Sequence, residues 1–144
     1  FSKKFRKNLN KTEPFSPVVF EKKLQRNFAI YQMISKYLNA EIEIYLSPYI
    51  FWSKELSSEE KNLVENTKKF YSKEIRTIYS VLDDESYEFL IKILAKQCSK
   101  FEFNFCDINK FFKDNFSSKN WLFVDSVHST DFGYREVSNM ILNK

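Results

Sequence analysis

Only two stretches of the 144 residues alternate as β-strands do, and a long helical excursion separates them. Glu41-Ile-Glu-Ile-Tyr-Leu46 sets β-branched and aromatic side chains between charged ones and ends at Ser47-Pro48, where a proline cannot continue a central ladder. Phe101-Glu-Phe-Asn-Phe105 is the second. Alternation of strands with helical segments argues for a parallel sheet with helices on both faces. A parallel pair buried on both faces needs neighbouring strands, and two are too few to make such a sheet.

The helical segments are legible from spacing. Phe20, Leu24, Phe28, Tyr31, Ile34 and Leu38 recur at helical intervals, with Pro17 just ahead and Asn39 as a stop. Ser57-Ser-Glu-Glu60 fits a capping box, with Ser57 as N-cap and Glu60 at the third helical position. Leu63, Val64, Phe70, Tyr71, Ile75, Ile78, Tyr79 and Leu82 then predict one long helix. Asp83-Asp84 interrupts it and caps another that carries Tyr87, Leu90, Ile91 and Leu94. Asn109 to Phe116 reads as a short amphipathic helix. Residues 1–17 are polar and basic, with Pro14 and Pro17 as breakers, and read as an irregular lead-in to one domain portion over residues 18–144.

A single glycine, Gly133, excludes several chemistries. No G-x-G-x-x-G dinucleotide loop, G-x-x-x-x-G-K phosphate loop or G-x-S-x-G elbow fits in this chain, because each needs glycine for close backbone approach or positive φ. Cys98 and Cys106 are too few for a disulfide framework and lack the paired spacing of a zinc site, and a lone histidine rules out a histidine-rich one. The two thiols leave the redox compartment open. No cofactor is implied. The longest apolar run falls far short of a membrane span. Net charge is +4, with basic residues strewn among acidic ones. Only Lys3, Lys4, Arg6, Lys7 and Lys11 gather, a run that suits a solvated segment better than a nucleic-acid contact. The opening residues have no apolar core like a signal peptide, and Phe1 stands where an initiator methionine would, as in a chain cut from something longer.

The one piece of chemistry lies near the C-terminus, in Trp121-Leu-Phe-Val-Asp125-Ser-Val-His128-Ser-Thr130-Asp-Phe-Gly133. Trp121 to Val124 reads as a short extended run that ends at Asp125, and Thr130 as the N-cap of a closing helix whose apolar face is Val137, Met140 and Ile141. Asp125 and His128 thus fall on a strand-to-helix turn, three residues apart, where a carboxylate reaches an imidazole N–H. A carboxylate that accepts from Nδ1–H fixes the tautomer and leaves Nε2 as a general base. The plainer reading is a hydrogen-bonded histidine at a helix start.

Asp125, His128, Thr130 and Gly133, in this order and followed by a terminal amphipathic helix, resemble the last block of the SGNH (GDSL-type) hydrolases. The resemblance implies a flavodoxin-like three-layer α/β/α sandwich with a parallel sheet, of which this chain represents only the C-terminal half. Glu41–Leu46 looks like the family's fourth strand and Phe101–Phe105 like its fifth. It also implies a serine ester hydrolase acting on a small-molecule or glycan acyl ester, such as a carbohydrate O-acetyl or lipid ester, with His128 as base and Asp125 as its orienter. No serine here stands in a G-D-S context, and Ser126 and Ser129 lie on the base's own turn. The nucleophile and the oxyanion donors are therefore expected from the missing N-terminal half of the domain, in the same or another chain. The alternative is a binding module that keeps the fold without a nucleophile. Tyr49-Ile-Phe-Trp52 reads as an aromatic loop after the first strand, where α/β sheets bind ligands, and Tyr49, Phe51 and Trp52 either line a substrate pocket or pack on the next helix.

Overall fold

The computed structural model describes residues 16–72, 76, 79 and 81–143. Residues 1–15 of the basic lead-in, with Ile75 and Ile78 of the long predicted helix, lie outside the described residues. The chain divides into two units, Phe1–Ala40 and Glu41–Lys144.

The first unit contains helix α1, Pro17–Leu38. The Ser16 hydroxyl accepts from Val19 N, and Pro17 takes the first helical position, where its missing N–H costs nothing. Asn39, at φ 49°, ends the helix in the left-handed conformation that asparagine tolerates, and its N–H bonds Ser35 O. Of the predicted apolar face, Tyr31, Ile34 and Leu38 are exposed.

In the second unit, strands β1 (Glu43–Leu46) and β2 (Asn104–Asp107) pair in parallel, with Glu43 opposite Asn104 and Leu46 opposite Asp107. A mixed helix-and-strand fold around a parallel pair is thus present, and the described residues contain no third strand in this sheet. Both strands begin later than the alternation predicts. The shift in β2 arises because helix α4 (Asp84–Phe101) runs through Phe101, and Glu102 at φ 61° turns the chain before it extends. Phe101 and Phe103 stack at 6.0 Å across that turn, so their alternation marks a helix stop rather than a strand.

Tyr49 to Trp52 also departs from expectation: instead of a loop it opens a one-turn helix, α2, Ile50–Ser53. Helix α3, Ser58–Lys68, starts at the predicted capping box, where Ser57 Oγ accepts from Glu60 N and the Glu60 carboxylate accepts from Ser57 N. It stops at Lys68 rather than running on to Leu82. Thr67 turns its hydroxyl back to Leu63 O (2.8 Å), a bond that competes with helix continuation, and Phe70 is left 86% exposed. Asp83 caps α4 through Ser86 N (2.8 Å), as its position predicts. Helix α5 (Ile108–Asn115) begins directly at the end of β2 with Asp107 as its N-cap, and α6 (Asp131–Leu142) closes the chain.

The core gathers Ile50, Val64, Ile108, Phe112, Leu122 and Phe123, with Phe132, Val137 and Met140 of α6 packed against it. Phe112 meets the Phe123 ring edge-on at 5.8 Å, an arrangement aromatic quadrupoles favour. Two buried polar side chains cross this apolar mass. Asn109 Oδ1 accepts from Tyr49 N (2.7 Å) and Ser53 Oγ (2.9 Å), while its Nδ2 donates to Ser47 O (3.1 Å) and Asp107 Oδ1 (3.1 Å). It thereby ties the C-terminal ends of both strands to α2.

Glu60 is the other. One carboxylate oxygen accepts from Lys54 Nζ (2.6 Å) and Ser57 N (2.8 Å), the other from Leu122 N (2.8 Å) and Phe123 N (3.1 Å). Both ion-pair partners are buried, at 1% and 0% side-chain exposure. Removing one partner of such a pair leaves an uncompensated buried charge. Glu60→Ala is therefore expected to lower unfolding free energy by about 3–5 kcal/mol in urea melts, with Glu60→Gln losing less. A loss under about 0.5 kcal/mol, the scale of ordinary surface changes, would mean the ammonium finds another partner or water.

Candidate active site

The loop that carries Asp125 and His128 grows out of the core. Leu122 and Phe123 are fully buried, and Phe123 pairs with Ser129 in an antiparallel bridge. Val124 N donates to His128 O (2.9 Å) and Thr130 N to Leu122 O (2.7 Å), so residues 124–128 form a loop pinched at its base. The extended run Trp121–Val124 thus pairs with the far side of its own loop, while Leu122 and Phe123 both spend their N–H groups on Glu60. Ile50 N donates to Ser126 O (3.0 Å), which seats the loop beside α2, just beyond the C-terminal end of β1. Crevices of α/β sheets that bind ligands lie at such strand ends.

Asp125 organises the turn with both oxygens. Oδ1 accepts from Val127 N and His128 N, each at 2.8 Å, and Oδ2 lies 2.7 Å from His128 Nδ1. Partial burial pushes the carboxyl upward, but the Val127 N–H, the imidazole and the His128 N–H outweigh it and hold Asp125 below the usual aspartate range. An ionised Asp125 accepts from Nδ1–H, which assigns the lone pair to Nε2. No hydrogen bond to Nε2 occurs among the described residues. The imidazole is 64% exposed and the carboxylate 42%. The pair is an oriented base open to solvent.

The neighbouring serines face the other way. Ser126 and Ser129 are buried. Ser126 Oγ lies 3.1 Å from Tyr71 OH, which also meets Thr67 Oγ1 at 3.2 Å. The Tyr71 phenol is pulled in two directions: burial and the Asp125 charge raise it, while hydrogen bonds with the Ser126, Thr67 and Tyr79 hydroxyls lower it and prevail. Ser129 Oγ has no hydrogen-bond partner among the described residues.

Thr130 caps α6 by accepting from Gly133 N (3.1 Å) and donates to Trp121 O (3.2 Å). Gly133 is where α6 meets the loop: a Cβ there would lie 2.7 Å from Leu122 O and 2.9 Å from Ser129 Cβ. Contacts that short force backbone to move. The chain's one glycine is thus required by close approach.

The three aromatic residues after β1 separate. Tyr49 and Trp52 are buried, and their rings meet edge-on at 4.8 Å. Trp52 Nε1 donates to Asp83 O (3.2 Å), and its ring stacks on Tyr87 at 5.2 Å. Phe51 is exposed and lines a cleft of about 570 Å³ together with Val64, Lys68, Lys69, Tyr71, Arg76 and Tyr79. Phe51 and Trp52 also border a second hollow, of about 440 Å³. Helical spacing marks Tyr71 and Tyr79 only as part of a helix, and the capping box marks Glu60 only as a cap, so neither signal points to this cleft or to the Glu60 contact with the loop. No group of three or more His, Cys, Asp or Glu suited to a metal ion occurs among the described residues. No family model matches the chain, and no curated protein matches it.

The lowered Asp125 carboxyl fixes a pH dependence. Its contribution to the turn is complete above the unfolded value of about 3.9 and is lost as pH falls through the lower folded value. The Val127 and His128 amide protons should therefore move upfield together on acidification, with a midpoint below that of exposed aspartates. A shared midpoint at or above about 4 in NMR titration would refute the hydrogen-bonded turn. Gly133→Ala should cost about 1–3 kcal/mol in stability, read by thermal melting, through overpacking against Leu122 and Ser129.

Proposed function

We propose that this chain supplies the base of a serine-type ester hydrolase, in an SGNH-like three-layer α/β/α domain completed by residues outside the 144. The observation that carries the reading is the 2.7 Å contact between Asp125 Oδ2 and His128 Nδ1, with Nε2 unbonded among the described residues. Support also comes from the loop's place beyond the C-terminal end of a parallel strand and from the helix that follows it.

In this reading a serine hydroxyl from outside the chain approaches Nε2. His128 takes its proton as the oxygen attacks the ester carbonyl, and Asp125 stabilises the imidazolium that results. The tetrahedral oxyanion is held by donors that arrive with the serine. His128 then protonates the leaving alcohol, and later takes a proton from the water that releases the acid. Ser126 and Ser129 are unsuited to the nucleophile's part, since both hydroxyls are buried and Ser126 is engaged by Tyr71. A small-molecule or glycan acyl ester is the substrate class. The same burial of the loop serines is what favours the second reading, a binding module without a nucleophile.

The full-length protein is expected to react with a serine-directed fluorophosphonate and to hydrolyse p-nitrophenyl acetate. His128→Ala should lower kcat at least about 10³-fold, while Asp125→Asn, which forfeits the tautomer and the imidazolium partner, should lower it by up to about 10⁴-fold. Turnover unchanged in both variants would eliminate the base assignment. A full-length protein without fluorophosphonate labelling would leave the binding-module reading in its place.

A further inference from the structure

The cleft beside the loop has a chemistry of its own. Two tyrosines line it, Tyr71 and Tyr79, packed on each other at 4.8 Å, and buried Tyr49 backs Tyr79 at 6.0 Å and 12°. Tyr49 is fixed in turn by Asn109 through its backbone N–H, and Tyr71 by Ser126 and Thr67. The aromatic surface is therefore anchored to the core. Three cations line the same space, Lys68, Lys69 and Arg76. Arg76 Nε donates to Tyr71 O (3.1 Å), which leaves its terminal guanidinium nitrogens free of that bond. Among the described residues, no carboxylate forms an ion pair with any of the three.

We propose that this cleft, walled by Phe51, Tyr71 and Tyr79 and lined by Lys68, Lys69 and Arg76, binds a small aromatic anion such as an aryl phosphate or aryl carboxylate. Each part of the ligand has a matching surface. A flat ring stacks on the tyrosine faces. An oxyanion takes charge-assisted hydrogen bonds from ammonium and guanidinium groups, which the low-dielectric aromatic wall strengthens. The volume, about 570 Å³, suits a molecule of that size. An isolated lysine on open surface would gain little, but three cations converging on one aromatic cleft act on a single charge. The site goes beyond the hydrolase reading and does not depend on it, because none of its residues belongs to the Asp125–His128 pair.

NMR titration of the full-length protein with phenyl phosphate tests the site, with benzyl alcohol and inorganic phosphate as partial ligands. Phenyl phosphate should give saturable shifts of the Tyr71 and Tyr79 ring resonances and bind at least about tenfold tighter than either partial ligand. Lys68→Ala/Lys69→Ala should weaken it about tenfold. Both lysines are exposed at the end of α3, so the melting temperature serves as a check that the fold survives. Equal affinity for phenyl phosphate and benzyl alcohol, shifts that do not saturate, or an unaltered affinity in the double lysine variant would each overturn the proposal.

Discussion

The Glu60 carboxylate is the constraint on which the rest of the second unit depends. A charged group with no solvent exposure survives in a core only if its lone pairs are met, and here four donors meet them: Lys54 Nζ and the backbone N–H groups of Ser57, Leu122 and Phe123. Such bonds are directional where apolar contacts are not. Any hydrophobic residue of suitable shape could bury Leu122 and Phe123, but only an acceptor at this spot fixes the height and orientation of their backbone. The loop from Val124 to His128 leaves from that backbone. Its position is therefore inherited from the first turn of α3, more than sixty residues earlier in the chain.

Asn109 completes the same construction from the opposite side. It joins the ends of β1 and β2 to α2 with four hydrogen bonds, and α2 then holds the loop through Ile50 N and Ser126 O. The Asp125–His128 turn is thus suspended between two buried polar side chains, one on α3 and one on α5. Hydrophobic burial collects these elements, and polar groups fix their register. In the proposed reading the division matters for catalysis, because an imidazole misplaced by an ångström loses its proton-transfer geometry.

What could be read from the sequence was what is local. The capping box at Ser57 and Glu60, the Thr130 cap, and the three-residue step from Asp125 to His128 are all contained within a single turn of backbone. Asn109 gave no such sign, since its partners Ser47, Tyr49 and Ser53 lie 56 to 62 residues away. The second duty of Glu60 was hidden for the same reason, 62 and 63 residues from Leu122 and Phe123. Periodicity failed where a side chain overrode it: Thr67 turned back on its own helix, and the apolar count through Phe70 misled. In Phe101-Glu-Phe-Asn-Phe105 only Asn104 and Phe105 are in the strand; the period of two through Phe103 came from a helix end and a left-handed Glu102. The sheet's parallel sense was legible, because a helical connection of that length permits no hairpin.

The exposure of His128 sets the terms on which the base can act. Two unit charges about 4 Å apart attract by roughly 1 kcal/mol in bulk water and several-fold more where water is excluded. With the imidazole 64% exposed, the Asp125 carboxylate can orient the ring but stabilises an imidazolium weakly. Orientation survives in water here because it does not rest on the ion pair alone: Oδ1 is pinned by two backbone N–H groups, so Oδ2 stays in place whatever the ring does. Strength must come from whatever covers the loop and expels its water. In the proposed reading one event accomplishes both tasks, since the body that brings a serine to Nε2 also buries the pair. The geometry is built into this chain, and in that reading the low-dielectric surroundings arrive with the nucleophile.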